Sequence, residues 1–160
     1  MFTYEDEIQA ASAFHNLQPR WLKAVLWIES RGERAPTPRW ESHLQEHSYG
    51  LGQLLPSTAL WMLATPSRFP MPDDIRDRAK LAVSLLSTRG EASFNKLLHD
   101  PEVNIYLTAA YIRYQLDRYD GNITDAVAAY NAGSVRKNDR GAYVNQWHVD
   151  KFNNALDSYA

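Results

Sequence analysis

The segment from Gln18 to Gly32, QPRWLKAVLWIESRG, constrains the fold more than any other part of the sequence because it marks both ends of a helix. Pro19 suits the first position of a helix, where its missing amide hydrogen would be unpaired anyway. Gly32 suits the position just past a helix end. The sequence therefore predicts one helix from Pro19 to about Arg31.

A carboxylate lies on the apolar face of this predicted helix. Four residues share the helical spacing i, i+3, i+4 and i+7: Leu22, Val25, Leu26 and Glu29. Glu29 therefore belongs to the stripe that packs into the core. Burial disfavours the charged form of a carboxylate, and the negative end of the helix dipole acts in the same direction. We predict a pKa for Glu29 well above the value of about 4.3 for a free Glu.

A Glu that stays protonated near neutral pH suits general acid catalysis, for example protonation of the leaving oxygen of a glycosidic bond. The alternative is that Glu29, in the last turn of its helix, bends out into solvent. The helix alone leaves both interpretations open.

Other segments show the same spacing between start and stop signals. The predicted helices run from a capping arrangement of Thr3 and Asp6 to about His15, from Pro56 to before Pro66, from Asp73 or Asp74 to Gly90, over Phe94 to Leu98, from Asp100 to about Tyr119, from Thr124 to Ala132, and as one or two helices within Tyr143 to Tyr159. Side chains expected to face inward include Phe14, Trp147, Phe152 and Leu156. The segment from Glu33 to Leu55, interrupted by prolines and glycines, is predicted to be a loop that contains a turn of helix or a short strand pair. The expected fold is mainly α, with little or no β-sheet.

Composition narrows the class of protein. With 160 residues, of which 44% are hydrophobic, the chain is expected to form one domain over residues 1–160. The chain has 17 Lys and Arg and 19 Asp and Glu, so its formal net charge is -2. Because it is not basic, no nucleic acid partner is predicted. Without cysteine the fold depends on packing alone. The acidic N-terminus lacks the features of a signal peptide, and no stretch is apolar enough to span a membrane.

Three short segments carry a pattern of known chemistry. They are Glu29-Ser30, then Ser48-Tyr49-Gly50-Leu51-Gly52-Gln53, then Ala129-Tyr130-Asn131-Ala132-Gly133. This set resembles the catalytic domain of soluble lytic transglycosylases, a lysozyme-like family related to goose-type lysozymes. The Asp100 to Ile105 segment and the Tyr143-Val144 pair extend the resemblance, which covers about residues 10 to 150 in order.

The resemblance implies a lysozyme-like helical domain that acts on peptidoglycan glycan strands without a cofactor. It implies cleavage of the β-1,4 bond between N-acetylmuramic acid and N-acetylglucosamine. One Glu, here Glu29, would act as general acid and then as base, and a 1,6-anhydro sugar would result. We expect a monomer.

The same resemblance assigns substrate-binding roles to five residues. They are Ser48, Gln53, Tyr130, Asn131 and Tyr143. The Tyr130 hydroxyl is expected to donate a hydrogen bond to Glu29 or to the sugar. Ser48 is expected to orient Glu29. Simpler structural roles remain open for these side chains: a core aromatic for Tyr130, a loop brace for Gln53 or Asn131, and an ordinary turn residue for Ser48.

The sequence departs from the family pattern at Gly52, where the family usually has Met. The replacement removes a side chain that would line the sugar groove. We also expect Gly50, Gly52 and Gly133 to permit backbone conformations that other residues dislike. The segments before Gly50 and between residues 61 and 99 are longer than in common members. Trp40 and Trp61 are the tryptophans expected to line the groove.

Two other functions remain open. An inverting muramidase would need a second carboxylate, for which Glu41 and Glu46 are the candidates. A wall-binding module without turnover would not need a protonated Glu. The spacing of His43 and His47 relative to these acids fits no standard zinc motif, so no metal is predicted.

The expected site of action is the bacterial cell wall, in the periplasm. The missing signal peptide is compatible with a phage enzyme that a holin releases or that the virion carries. It is equally compatible with a domain of a larger periplasmic enzyme.

Overall fold

The computed structural model describes residues 4–33 and 36–159, which form a mainly helical fold. In this part of the chain there are nine helices and one two-stranded sheet: α1 (Glu5–Phe14), α2 (Pro19–Ser30), β1 (Arg39–Glu41), β2 (Glu46–Ser48), α3 (Pro56–Leu63), α4 (Asp73–Ser84), α5 (Leu86–Arg89), α6 (Glu91–Leu98), α7 (Pro101–Arg118), α8 (Ile123–Ala132) and α9 (Gln146–Ser158). The predicted fold class is confirmed. None of these helices is long and apolar enough to cross a membrane.

Helix α7 forms the centre of the core. The Asp100 side chain accepts hydrogen bonds from the backbone amides of Glu102 and Val103, at 3.0 and 3.3 Å, so the predicted start signal is confirmed. Ten of its residues are buried, among them Val103, Ile105 and Leu107. It packs against α1, α2, α6 and α8, so most of the fold is arranged around it.

Helix α2 places the proposed catalytic Glu29. Leu22, Val25 and Leu26 are fully buried, as the stripe predicted, and the helix packs between α1 and α9. It ends one residue earlier than expected, because Arg31 already adopts a left-handed backbone with φ 59°. Its amide hydrogen bonds to the carbonyl of Trp27 and closes the helix.

The loop after α2 contains a short strand pair, one of the two forms that the sequence left open. Strands β1 and β2 are antiparallel, and Arg39 pairs with Ser48 while Glu41 pairs with Glu46. Residues two apart on a strand point to the same side. Arg39 and Glu41 therefore project together, and the hairpin carries them to the end of α2.

Two predictions of inward-facing side chains were wrong. Trp147 is 57% exposed, whereas Phe152 is fully buried and Leu156 is half-buried. A spacing of five residues separates Trp147 from Phe152 by about 140° around a helix, so both cannot face the core. Phe14 is 46% exposed because α1 ends there, and His15 turns inward instead.

The remaining differences concern helix ends. The predicted helix from Asp73 to Gly90 divides at Leu85 into α4 and α5. The Ser84 hydroxyl donates to the carbonyl of Leu81 at 2.6 Å, a local bond of the kind that competes with helix propagation. The predicted cap at Thr3 lies outside the described residues.

Candidate active site

Glu29 is buried at the end of α2 and keeps a proton more readily than a free Glu. Its side chain is only 4% exposed. Burial raises its pKa to about 7, although the charge of Arg39 and a hydrogen bond from Arg39 oppose the shift. The predicted direction of the pKa shift is confirmed, and the alternative of a solvent-directed Glu29 is wrong.

One guanidinium group joins Glu29 to a second carboxylate. Nη2 of Arg39 donates to Oε2 of Glu29 at 3.2 Å, and its Nε donates to Oε1 of Glu41 at 2.8 Å. The Arg39 side chain is 49% exposed, so it covers the buried acid from the solvent side. Both carboxylates are therefore bonded to one cation.

His148 of α9 lies on the other side of Glu29. Its Nε2 atom is 3.7 Å from Oε1 of Glu29, and that nitrogen has no hydrogen-bond partner among the described residues. Burial, followed by the charges of Arg39 and Lys151, lowers the pKa of His148 to about 4. His148 is therefore neutral near pH ~7 and does not form an ion pair with Glu29.

Ser48 contacts Glu41, and Gln53 contacts Ser48, but neither bonds directly to Glu29. The Ser48 hydroxyl lies 3.2 Å from Oε1 of Glu41 and 3.0 Å from Oε1 of Gln53. Nε2 of Gln53 donates to the carbonyl of Gly50 at 2.9 Å. The sequence predicted that Ser48 orients Glu29. In the structure Ser48 can influence Glu29 only indirectly, through Glu41 and Arg39.

Tyr130 is buried next to this group at the end of α8. Its hydroxyl donates to the carbonyl of Gly52 at 2.7 Å, so its hydrogen is not directed at Glu29. Burial and then the negative charge of Glu29 raise its pKa well above the ordinary value. A hydrogen bond from Thr108 acts in the opposite direction and lowers the pKa. The phenol therefore bonds both to the loop at Gly52 and to α7.

A buried amide on α7 holds the loop between these groups. Asn104 accepts from the amide of Gly52 at 2.7 Å and donates to the carbonyls of Tyr49 and Leu98, at 3.0 and 2.8 Å. Gly50 needs its glycine for a φ of 75°. Through Asn104 the loop is fixed to the central helix.

The sequence suggested that Gly52 permits an unusual backbone conformation, and this prediction was wrong. Gly52 is absent from the residues with positive φ, so no unusual backbone conformation requires it. A Cβ added at Gly52 would lie closer than 3.0 Å to Oγ1 of Thr108 and 2.9 Å from the Tyr130 hydroxyl oxygen. Gly52 is therefore required by close packing, and Thr108 occupies the space beside it.

Two of the predicted substrate-binding residues have hydrogen-bond partners other than Glu29. Oδ1 of Asn131 accepts from Asn145 at 2.9 Å. The Tyr143 hydroxyl bonds to Asp125 near the start of α8, and burial together with this bond raises its pKa to about 12. Within the described residues, neither side chain forms a hydrogen bond with Glu29.

The two tryptophans expected in the groove occupy different surroundings. Trp40 is 50% exposed on β1 beside Arg39, and its ring centroid lies 4.9 Å from that of His47. Trp61 is 38% exposed and packs edge-on against Phe69 and Tyr114. Trp40 thus packs near His47 on the strand face opposite Arg39 and Glu41, and Trp61 belongs to another aromatic cluster.

Sequence reasoning missed Arg39 and His148, and it considered Glu41 only as an alternative second acid. Alternating charges at positions 39 and 41 would have indicated a pair on one face, had the strand been predicted firmly. No local pattern marks His148, which is 119 positions from Glu29 along the chain. In the described ranges no group of three or more His, Asp or Glu is placed to hold a metal ion.

Comparison with known proteins adds two findings. The family model of the Transglycosylase SLT domain matches residues 6–153. A protein described as "Transglycosylase" from Enterobacteria phage PRD1 is 32% identical over 133 residues, which are 83% of this chain and 36% of the phage protein. The chain therefore spans about a third of the length of this relative.

Proposed function

We propose, since this chain belongs to the Transglycosylase SLT domain family, that it is a peptidoglycan lytic transglycosylase with Glu29 as its catalytic acid and base. One observation carries the proposal: a helix-borne carboxyl, 4% exposed and with a pKa of about 7, beside a single guanidinium. A pKa near the working pH lets one group give a proton and then take one back.

The first step is proton transfer to the leaving sugar. Protonated Glu29 gives its proton to the glycosidic oxygen, the bond from that oxygen to C1 of the muramic residue breaks, and positive charge develops on C1 and the ring oxygen. The carboxylates of Glu29 and Glu41 stabilise this charge. Among the described residues, these are the two carboxylates that pair with Arg39.

The second step returns the proton. The Glu29 carboxylate takes the proton of the C6 hydroxyl of the same muramic residue, and the C6 oxygen forms a bond with C1. The product is a 1,6-anhydro sugar, and no water is consumed. The Tyr130 hydroxyl donates to the Gly52 carbonyl and so holds this loop in place, while a direct role of Tyr130 toward the sugar stays a prediction.

Arg39 supports the carboxylate between the two steps. Its charge and its hydrogen bond both lower the pKa of Glu29 against the effect of burial. Hydrogen bonds to both Glu29 and Glu41 hold the half-exposed Arg39 side chain beside the acid. Arg39 thus limits how strongly Glu29 holds its proton.

We predict that Arg39→Ala moves the alkaline limb of the pH profile to higher pH. Loss of the cation raises the pKa of Glu29 above about 7, so the acid stays protonated further into the alkaline range. The measurement is kcat/KM on purified sacculi as a function of pH, with Arg39→Lys as the charge-preserving control. An unchanged limb in Arg39→Ala would remove Arg39 from this role.

A second candidate, inverting hydrolysis of the same bond, is favoured by the position of Glu41. Inverting enzymes hold the second carboxylate about 6.5–9.5 Å from the acid to activate water. Glu41 shares one guanidinium with Glu29 and is held by Ser48. Glu46 is less suitable because its side chain bonds to Ser57.

Product analysis distinguishes the two reactions. We predict that mass spectrometry of the released muropeptides shows anhydro ends, lighter by one water than hydrolysed ends. Glu41→Gln is expected to slow the reaction without changing the product. Hydrolysed ends that disappear in Glu41→Gln would establish the inverting reaction instead.

The site of action is proposed on the same basis. The relative carries the description of a phage transglycosylase, which supports a phage enzyme that acts on the bacterial wall. The roles of Gln53, Asn131 and Tyr143 toward the substrate stay predictions, as does the monomeric state. A wall-binding protein without turnover would bind sacculi and leave their turbidity unchanged.

A further inference from the structure

A cleft lies beside the C-terminal half of α7, and Glu29 is not among the residues that line it. Its volume is about 640 Å³, within the range of pockets that hold small ligands. It lies between the end of α1, the segment after α3, and α7. The lining residues used below are Phe14, His15, Arg68, Arg113, Tyr114 and Arg118.

The cleft is positively charged although the chain as a whole carries a formal charge of -2. Asp117 is the acid in its lining, and Arg113 binds it through Nε and Nη2 at 3.0 and 2.7 Å. Arg118 donates to the carbonyl of Gly133 at 2.9 Å, and Arg68 lies 5.4 Å from the ring centroid of Tyr114. In the described ranges no carboxylate pairs with Arg68 or Arg118, so the cleft favours an anion.

A buried nitrogen in the lining also lacks a partner. His15 is 5% exposed, and its Nε2 atom makes no hydrogen bond to the described part of the chain. Burial and then the charge of Arg113 lower its pKa to about 4, so the ring is neutral near pH ~7. A buried polar atom without a partner is costly, which suggests that a ligand or water completes it.

Aromatic contacts connect the cleft to the proposed active site. The ring centroids of Tyr130 and Tyr111 are 5.2 Å apart, and those of Tyr111 and Tyr114 are 6.2 Å apart with nearly parallel planes. Tyr114 lines the cleft. Arg118 also binds the residue that ends α8, the helix of Tyr130. Tyr130 is therefore linked to the lining of the cleft through one intervening ring, Tyr111.

We propose, on the basis of the proposed function, that this cleft binds the carboxylate-bearing peptide stem of the peptidoglycan strand while Glu29 acts on the glycan. The N-acetylated sugars are uncharged and do not need unpaired guanidinium groups, whereas a stem peptide carries several carboxylates beside apolar alanine side chains. A stem branches from each muramic residue, so its carboxylates always lie near a bond that can be cleaved. Arg68 and Arg118 bind the carboxylates, and Phe14 and Tyr114 contact the apolar parts.

Binding of a free stem peptide tests the proposal without any turnover. The probe is the tetrapeptide L-Ala-γ-D-Glu-diaminopimelate-D-Ala, titrated by NMR or calorimetry into the full chain, with the fully amidated peptide as comparison. The acid form is expected to bind and the amidated form to bind at least about tenfold more weakly. Equal binding of the two peptides, or displacement of the acid peptide by an equal concentration of inorganic phosphate, would overturn it.

Charge reversal at Arg68 locates the binding. Arg68→Glu is expected to weaken peptide binding about tenfold and to lower, by a similar factor, the ratio of kcat/KM on stem-bearing strands to kcat/KM on amidase-treated strands without stems. Arg89→Glu makes the same change of charge at an exposed position outside the lining and should leave both quantities unchanged. An unchanged ratio in Arg68→Glu overturns the assignment.

The two proposals fail in different ways. If the unmodified chain cleaves neither kind of strand, the proposed function is wrong. Peptide binding then still tests whether the cleft binds the stem. If both strands are cleaved with equal efficiency and the peptide does not bind, only the stem assignment is wrong.

Discussion

Glu29→Gln is expected to reduce cell-wall lysis by roughly 10³-fold or more, since general acid catalysis contributes about 10²–10⁴-fold and here the same group also serves as base. The amide has nearly the shape of the acid but cannot transfer a proton. The measurement is the loss of turbidity of purified sacculi. Glu33→Gln, an exposed acid four positions further along the chain, is the matched control and should retain full activity.

The same substitution should not unfold the protein, and its effect on stability has a definite sign. The pKa of Glu29 is raised from 4.5 to about 7 by folding, so its contribution to stability is fully present below the lower value and is lost as the pH rises through the upper one. Glu29→Gln removes this dependence. Above pH ~8 its melting temperature should equal or exceed that of the unmodified chain. An inactive variant that melts far earlier would say nothing about catalysis, and one that stays active would exclude Glu29 from the mechanism.

Gly52→Ala is expected to destabilise the fold by about 1–3 kcal/mol, the usual cost of overpacking a well-packed interior. The added methyl group would meet the Thr108 side chain and the Tyr130 hydroxyl, both of them buried. Activity should fall as well, because Tyr130 must move away from the Gly52 carbonyl. Denaturant unfolding and sacculus turbidity measure the two effects.

A double-mutant cycle identifies the cause. Thr108→Ala removes the nearest atoms that the added methyl would meet and leaves the Tyr130 hydroxyl, so Gly52→Ala should cost less in that background. Gly141→Ala is the control, since Gly141 has open space around it and a φ of 77°. Its cost comes from backbone strain and should not change with Thr108→Ala. If the effects of Gly52→Ala and Thr108→Ala simply add, close packing is not the reason for Gly52.

Features that depend on neighbours along the chain could be predicted. The helix from Pro19, the cap at Asp100 and the burial of Glu29 all follow from helical spacing and from start and stop residues. The raised pKa of Glu29 followed in turn, because burial alone is enough to disfavour a charged carboxylate. Errors occurred where the phase of a helix had to be judged from few residues, as for Trp147, or where a helix ended, as for Phe14.

The sequence by itself thus determined that a mainly helical domain buries one acidic side chain at the end of its second helix, because period and boundary signals are local. Only the tertiary structure decided what surrounds that acid. Arg39 and His148 reach Glu29 from a hairpin and from the last helix, and Thr108 meets Gly52 across 56 positions of sequence. Contacts between distant segments depend on how the helices pack, and no spacing within one segment records that arrangement.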